Sequence, residues 1–277
     1  MHYSSTFLER CRIERNRAEG DSGGLELFGD VALSHCTFHG NVSGEDAGGL
    51  SLTSSVPRIS HCTFSENTAA ESGGGVVISS TENTFSHCSF TGNRALEGGA
   101  VAMWDSSTRL ESCVVVGNTA TEVGGGLYLW ADSGSPHISD SVLAYNTGGN
   151  LYSTPDSAYL PVLLYSDLYA QNGMVNHNLP ELDPSNMTVE PGFLSYRSDG
   201  LPEDLHLSRS SPLIDRGTPE QQDPDATRMR VRVENAVKPE LLRDEAQAIL
   251  TGRIGADGVF LASELNLKCP TRFTEAG

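Results

Sequence analysis

Lysine is nearly missing from this 277-residue chain; Lys238 and Lys268 are the only two. Basic residues number 18 against 36 acidic ones, a net charge of −18. Nucleic-acid binding draws on clustered Lys and Arg to neutralise phosphates, so this deficit argues against nucleic acid as a partner. Aromatic residues are scarce at 7%, and hydrophobic residues reach only 38%. So little apolar surface suits an elongated fold in which each layer buries its own small share. No apolar run approaches the ~18 residues of a membrane span. The stretch from Met1 to Arg10 also lacks the apolar core of a signal peptide, so neither a span nor an export signal is expected.

Glycine, by contrast, is abundant, with 29 residues. The apolar residues are regularly spaced rather than depleted, which argues against disorder. Charge is unevenly spread. Residues 1–215 hold nine arginines, no lysine and 26 acids, for −17, whereas 226–277 hold six arginines, two lysines and seven acids, for +1. This break coincides with a polar, proline-containing run from Gly217 to Ala226. It divides the chain into a first domain over 1–217, a linker over 218–225 and a second part over 226–277.

An internal repeat organises the first domain. Each copy pairs a cysteine with an asparagine five residues on: Cys11 and Asn16, Cys36 and Asn41, Cys62 and Asn67, Cys88 and Asn93, Cys113 and Asn118. A sixth copy reads Ser141 and Asn146, and the spacings are 25, 26, 26, 25 and 28. A glycine cluster follows each asparagine, as at Gly48-Gly49, Gly73-Gly74-Gly75 and Gly124-Gly125-Gly126, and a short aliphatic alternation then resumes. Each copy holds two or three short strands and no 3.6-residue pattern long enough for a helix. Leucine-rich solenoids have a similar period but need a helical return where these copies offer glycine. Parallel stacking of one strand set per coil at about 4.8 Å satisfies the backbone of every inner coil. The expected fold is therefore all-β, a right-handed parallel β-helix of 25–28-residue coils.

In that fold the five cysteines should point inward as a column of small, reduced, structural thiols, beside Ile13, Phe38, Phe64, Phe90 and Val115. Asn16, Asn41, Asn67, Asn93, Asn118 and Asn146 fall where the strand must turn. Asparagine tolerates the left-handed region, and its amide can bond its counterpart one coil away. The glycines are expected to supply positive φ where the chain re-enters the next strand. The first coil starts within ten residues of Met1 with nothing to cap its strand edge, so a further segment in front is expected.

Two outward columns carry candidate metal ligands. His35, His61 and His87 share the slot before the cysteines and suit zinc or copper. The alternative is a solvent-facing polar column, favoured because Arg10, Ser112 and Asp140 continue it without imidazole. Glu45, Glu71, Glu97 and Glu122 recur in the loop after the asparagine, where Ca²⁺ would relieve carboxylate repulsion. A solvated acidic edge is the plainer outcome.

The pieces Phe38-His-Gly-Asn41, Phe64-Ser-Glu-Asn67 and Phe90-Thr-Gly-Asn93, with the Gly-Gly clusters, resemble the β-helix repeat proteins of bacterial cell surfaces, including polymorphic-membrane-protein passengers. The stretch Asp204 to Gly217 resembles their closing element. The resemblance implies a non-catalytic, cell-surface or secreted module that binds a protein or polysaccharide or serves structurally. Polysaccharide-cleaving enzymes share this fold and resemble one another in a calcium–carboxylate cluster beside an Arg or Lys base. Here the repeat contains no lysine, and Arg58 is its only arginine between Arg17 and Arg94. No carboxylate pair with a nearby base stands out, so catalysis is not expected.

The last fifty residues read differently. Met229–Val233 alternates as a strand, Pro239–Asp244 suits a helical turn, and the segments 248–254 and 259–265 flank Gly255-Ala-Asp-Gly258 as a β-hairpin. Val237 to Arg243, Leu250 to Ile254, Asp257 to Glu264 and Lys268-Cys-Pro together resemble the second half of the haem chaperone of system I cytochrome c maturation. That family presents a haem-attaching His or Cys and an axial Tyr on a tail after an OB-fold. The resemblance implies a partial OB-fold, haem as cofactor, the cytochrome c maturation machinery as partner, and a periplasmic, membrane-anchored setting. It places Cys269 in the attachment slot, where a thiolate is a competent nucleophile. Phe273 stands in the Tyr slot and has no oxygen to offer iron. An OB barrel needs five strands and about three are legible here, so the plainest reading is a relic or gene junction, with haem carriage through Cys269 as the alternative.

Overall fold

A computed structural model describes residues 6–29, 31–53, 58–80, 82–130, 132–154, 159–170, 179, 181–196, 202–208, 210–213, 231–233, 247–254 and 260–268. The chain divides into two compact units, Met1–Pro219 and Glu220–Gly277. Among the described residues every regular element is a β-strand.

The first unit is a parallel β-helix. Its first sheet stacks Thr6–Glu9, Val31–Ser34, Arg58–Ser60, Thr84–Ser86, Arg109–Glu111, His137–Ser139 and Val162–Leu164 in that order. A second sheet stacks the strand that follows each of these, from Arg12–Glu14 through Thr37–His39 to Asp167–Tyr169. The third runs from Leu25–Phe28 through Leu50–Thr53, Val76–Ser79, Val101–Trp104 and Leu127–Trp130 to Leu151–Ser153. Register holds residue for residue, as in Phe38↔Phe64 and Phe64↔Phe90. Beyond Tyr169 the regular coils end, and Phe193–Tyr196 pairs antiparallel with Pro202–Leu207.

Three-residue strands persist because each corner is a single left-handed residue. Between the first and second sheets that residue is Arg10, His35, His61, His87, Ser112, Asp140 or Tyr165, with φ between 50° and 54°. After the second sheet it is Arg15, Gly40, Glu66, Gly92, Gly117 or Tyr145. The asparagines themselves are not left-handed, contrary to the sequence expectation; the residue before each one takes the strained φ. That leaves the asparagine side chain to point inward, where Asn41, Asn67, Asn93 and Asn118 are fully buried.

The amides form a continuous ladder. Asn41 Nδ2 donates to Asn67 Oδ1 at 2.9 Å and to the Ile13 carbonyl at 2.8 Å. Asn67 Nδ2 repeats this with Asn93 Oδ1 at 3.0 Å and the Phe38 carbonyl at 2.9 Å. Asn93, Asn118 and Asn146 carry the ladder onward. Beside it, Phe38, Phe64 and Phe90 stack with centroids 4.8 and 5.0 Å apart. Each buried ring contributes about 1.5–3 kcal/mol.

The glycine clusters also differ from expectation. In five of the clusters only the leading position takes positive φ, at Gly73, Gly98 and Gly124, with Ser22 and Ala47 filling the same slot; in the sixth both Gly148 and Gly149 do. The glycines that follow are required by close approach. A Cβ on Gly74 would overlap the carbonyl oxygens of Arg94 and Gly99, and one on Gly49 would lie 2.6 Å from the Gly75 oxygen.

The second unit's described strands are Val231–Val233, Gln247–Ile254 and Phe260–Lys268. The last pairs antiparallel with the middle one, as the hairpin expectation requires, and parallel with the first. The predicted helical turn at Pro239–Asp244 lies outside the described residues.

Asn67→Ala takes the Oδ1 acceptor from the Asn41 backbone N–H and one donor each from the Phe38 carbonyl and Asn93 Oδ1, all in a dry interior. It is expected to cost about 3–5 kcal/mol in equilibrium urea unfolding. Gly74→Ala should be destabilising by the same measurement. Gly20→Ala, whose Cβ meets nothing within 4 Å, should stay within about 0.5 kcal/mol of the parent.

Candidate functional site

The histidine column is a geometric fact. His35 and His61 stack at 4.8 Å and 6°, and His61 and His87 at 4.9 Å and 2°, all three exposed at left-handed corners. Ser34 Oγ hydrogen-bonds His35 Nδ1 at 2.7 Å. Rings translated face to face by 4.8 Å hold equivalent nitrogens at about that separation. One zinc ion spans at most about 4.2 Å between two nitrogens, so the stack as it stands does not converge on an ion. Among the described residues no group of three or more His, Cys, Asp or Glu side chains is placed to hold a metal.

The glutamates do not form one column. Glu71 N–H donates to the Glu45 carbonyl, and Leu96 N–H to that of Glu71. Glu97 N–H also reaches the Glu71 carbonyl at 3.2 Å, but Glu97 pairs with Ser72 and Val123, because register slips between Arg94 and Glu97 against both neighbouring coils. Insertion of one residue between Ala120 and Val123 leaves Glu122 beside the shifted register rather than in it. Spacing alone gave no sign of this slip. The column Glu97 joins contains Asp21 and Asp46, which sequence reasoning passed over. Asp21 Oδ1 accepts the Asp46 N–H at 3.1 Å, and Asp46 Oδ1 accepts the Ser72 N–H at 2.8 Å. These carboxylates cap the next coil. Burial pushes Asp46 above the usual carboxylate range, with Asp21 and Glu71 repelling its charge.

Glu97 reaches an aromatic patch on the outer face of the third sheet. Burial first, then Glu122, raises its pKa, while a hydrogen bond with Tyr128 opposes the shift. Tyr128 and Tyr152 stack at 5.7 Å, and Trp104, Val77 and Ala102 pack into the same cluster. Tyr128 is pushed up to about 12 by burial and by the charge of Glu97.

The cysteine column lies where expected. Cys36, Cys62, Cys88 and Cys113 are buried, Cys11 is partly so, and all five are free thiols. Cys62 donates to the Ser60 carbonyl at 3.3 Å and Cys88 to that of Ser86 at 3.4 Å. Ser141 continues the column and donates to the Ser139 carbonyl at 2.8 Å. A hydroxyl serves there as well as a thiol, so the position uses shape and a donor rather than sulfur chemistry. Donation of the Cys62 S–H toward Cys88, together with burial, raises the Cys62 pKa and keeps it a thiol.

Two regions of the chain match known families. Residues 55–158 match the right handed beta helix region. Residues 220–276 match the CcmE domain. The first unit is thus a right-handed parallel β-helix, and the segment that follows it is similar to the CcmE domain. No curated protein and no solved structure gives a significant match. Cys269 and Phe273, the haem positions implied by resemblance, lie outside the described residues, directly beyond the strand that ends at Lys268.

Glu97→Gln removes a negative charge beside the Tyr128 phenol. Ultraviolet titration of tyrosinate should show one residue titrating at lower pH in this variant; an unchanged titration would refute the Glu97–Tyr128 coupling.

Proposed function

We propose that the β-helix is a non-catalytic binding or structural module of cell-surface or secreted type. Its ligand is a protein or a polysaccharide. The supporting observation is how its polar side chains are used. The asparagines bond one another, Asp21 and Asp46 cap backbone amides of the next coil, and Glu97 meets a tyrosine. These groups hold coils together. Incubating the full chain with acidic polysaccharides, with and without Ca²⁺, should produce no chain cleavage. Calcium-dependent cleavage would replace this reading with a carbohydrate-active one.

A second reading, haem handling for cytochrome c maturation, is favoured by the CcmE match over 220–276. The haem would be held through Cys269, and the partner would be the maturation machinery. Addition of the Cys269 S–H across a vinyl C=C forms one S–C and one C–H bond, with no external oxidant. Phe273 carries no lone-pair donor and does not fit the axial role. Full-length protein incubated with haem under reducing conditions should gain the mass of one haem in a form that survives acid extraction. Cys269→Ala should abolish the gain. If the parent protein forms no adduct, the haem reading fails and the β-helix reading is untouched.

A further inference from the structure

The last regular coil carries a half-open cavity of about 140 Å³, far above the ~10–15 Å³ needed by one water. It lies at the corner between the first and second sheets and is lined by Asp140, Tyr165 and Asp167 together with Val142, Met187 and Leu213. Asp167 opens the last strand of the second sheet, in the column occupied by Val114 and Val142 in the coils before it. Its neighbour in the next layer is Met187, whose N–H and carbonyl bond Ser166 and Leu168.

That arrangement buries a carboxylate. Asp167 is 2% exposed; its Oδ1 accepts the Val189 N–H at 3.0 Å, and its Oδ2 has no hydrogen-bond partner among the described residues. Among the described residues no basic side chain lines the cavity. An uncompensated buried carboxylate is unfavourable, and burial pushes Asp167 up to about 6, so at neutral pH it is mostly ionised.

The lining selects the cation. Ca²⁺ takes about 6–8 oxygen ligands, and the two serines here are already engaged. Ser141 Oγ donates to Ser139 and accepts from Cys113, while Ser166 Oγ donates to Leu164 and accepts from Ser141. The remaining walls are aliphatic or aromatic. We propose that this cavity binds a primary alkylammonium group, its N–H donors meeting Asp167 Oδ2 beside Asp140 and its alkyl stem lying on Val142, Met187 and Leu213. The Tyr165 ring supplies a further surface for the cation. The group belongs to a free small amine or to a lysine side chain of a peptide, and both present the same chemistry.

Calorimetry on the full chain at pH 7.5 tests this with n-butylammonium, a peptide with one internal lysine, tetramethylammonium and Ca²⁺. Saturable binding of butylammonium or of the peptide is expected, and the tighter of the two identifies the source. Tetramethylammonium has no N–H donor and should bind at least tenfold more weakly. Asp167→Asn removes a buried charge, so it should fold with an unchanged circular-dichroism spectrum and lose at least tenfold in affinity. Asp140→Asn should lose a few-fold. Protonation of Asp167 below its folded pKa removes the acceptor charge, so affinity should also fall at least tenfold between pH 7.5 and pH 5. Among the described residues, the other titratable groups lining the cavity are Asp140 and Tyr165. Affinity unchanged in Asp167→Asn, preference for Ca²⁺, or no saturable amine binding would each overturn the proposal. None of these outcomes bears on the haem reading.

Discussion

Each coil of the first unit is completed by its neighbour. Backbone amides reach the next coil through three sheets, and at one corner the buried asparagine amide extends that pairing into the interior. An asparagine there accepts from the coil before it and donates both to the coil after it and to a carbonyl further back, as Asn67 does with Asn41, Asn93 and Phe38. Amide, acceptor and rise per coil must therefore agree within a few tenths of an ångström. The phenylalanine stack and the thiol column inherit the same rise, and their packing follows from it. Stability in such a chain is close to a sum over neighbouring coils.

The exterior inherits this repetition. Because register holds residue for residue, any side chain repeated in sequence is repeated at strand spacing in space, and three histidines become a stack without needing a ligand to assemble them. The same rule explains the carboxylates. Where register is kept, Asp21 and Asp46 act as caps; where a bulge intervenes, Glu97 moves beside Tyr128 and takes a different role. Where the repeat stops, Met187 pairs with Asp167, and Asp167, in a column that is half-exposed in earlier coils, is buried with one oxygen uncompensated.

The second unit answers to different physics. Its described strands form a small mixed sheet in which an antiparallel pair carries most of the hydrogen bonding. The long final strand delivers the chain at Lys268 to the residue that the CcmE resemblance singles out.

The sequence by itself determined the coil, its period and the residues that face inward, because a one-step shift in a parallel stack would put Phe38 and Phe64 in water and break every amide contact at once. It also determined that the chain has two parts, through the change in charge and the loss of the repeat. It did not determine which residue takes the left-handed φ at a corner, since asparagine and its predecessor are both plausible by propensity and only the inward pull of the amide chooses between them. Nor did it show why most clustered glycines are there, because the carbonyl that excludes a Cβ belongs to a coil some 25 residues away in sequence. The slip of Glu97 and the burial of Asp167 were decided by tertiary structure alone. Both depend on where register fails or the stack ends, and such places carry no repeating signal.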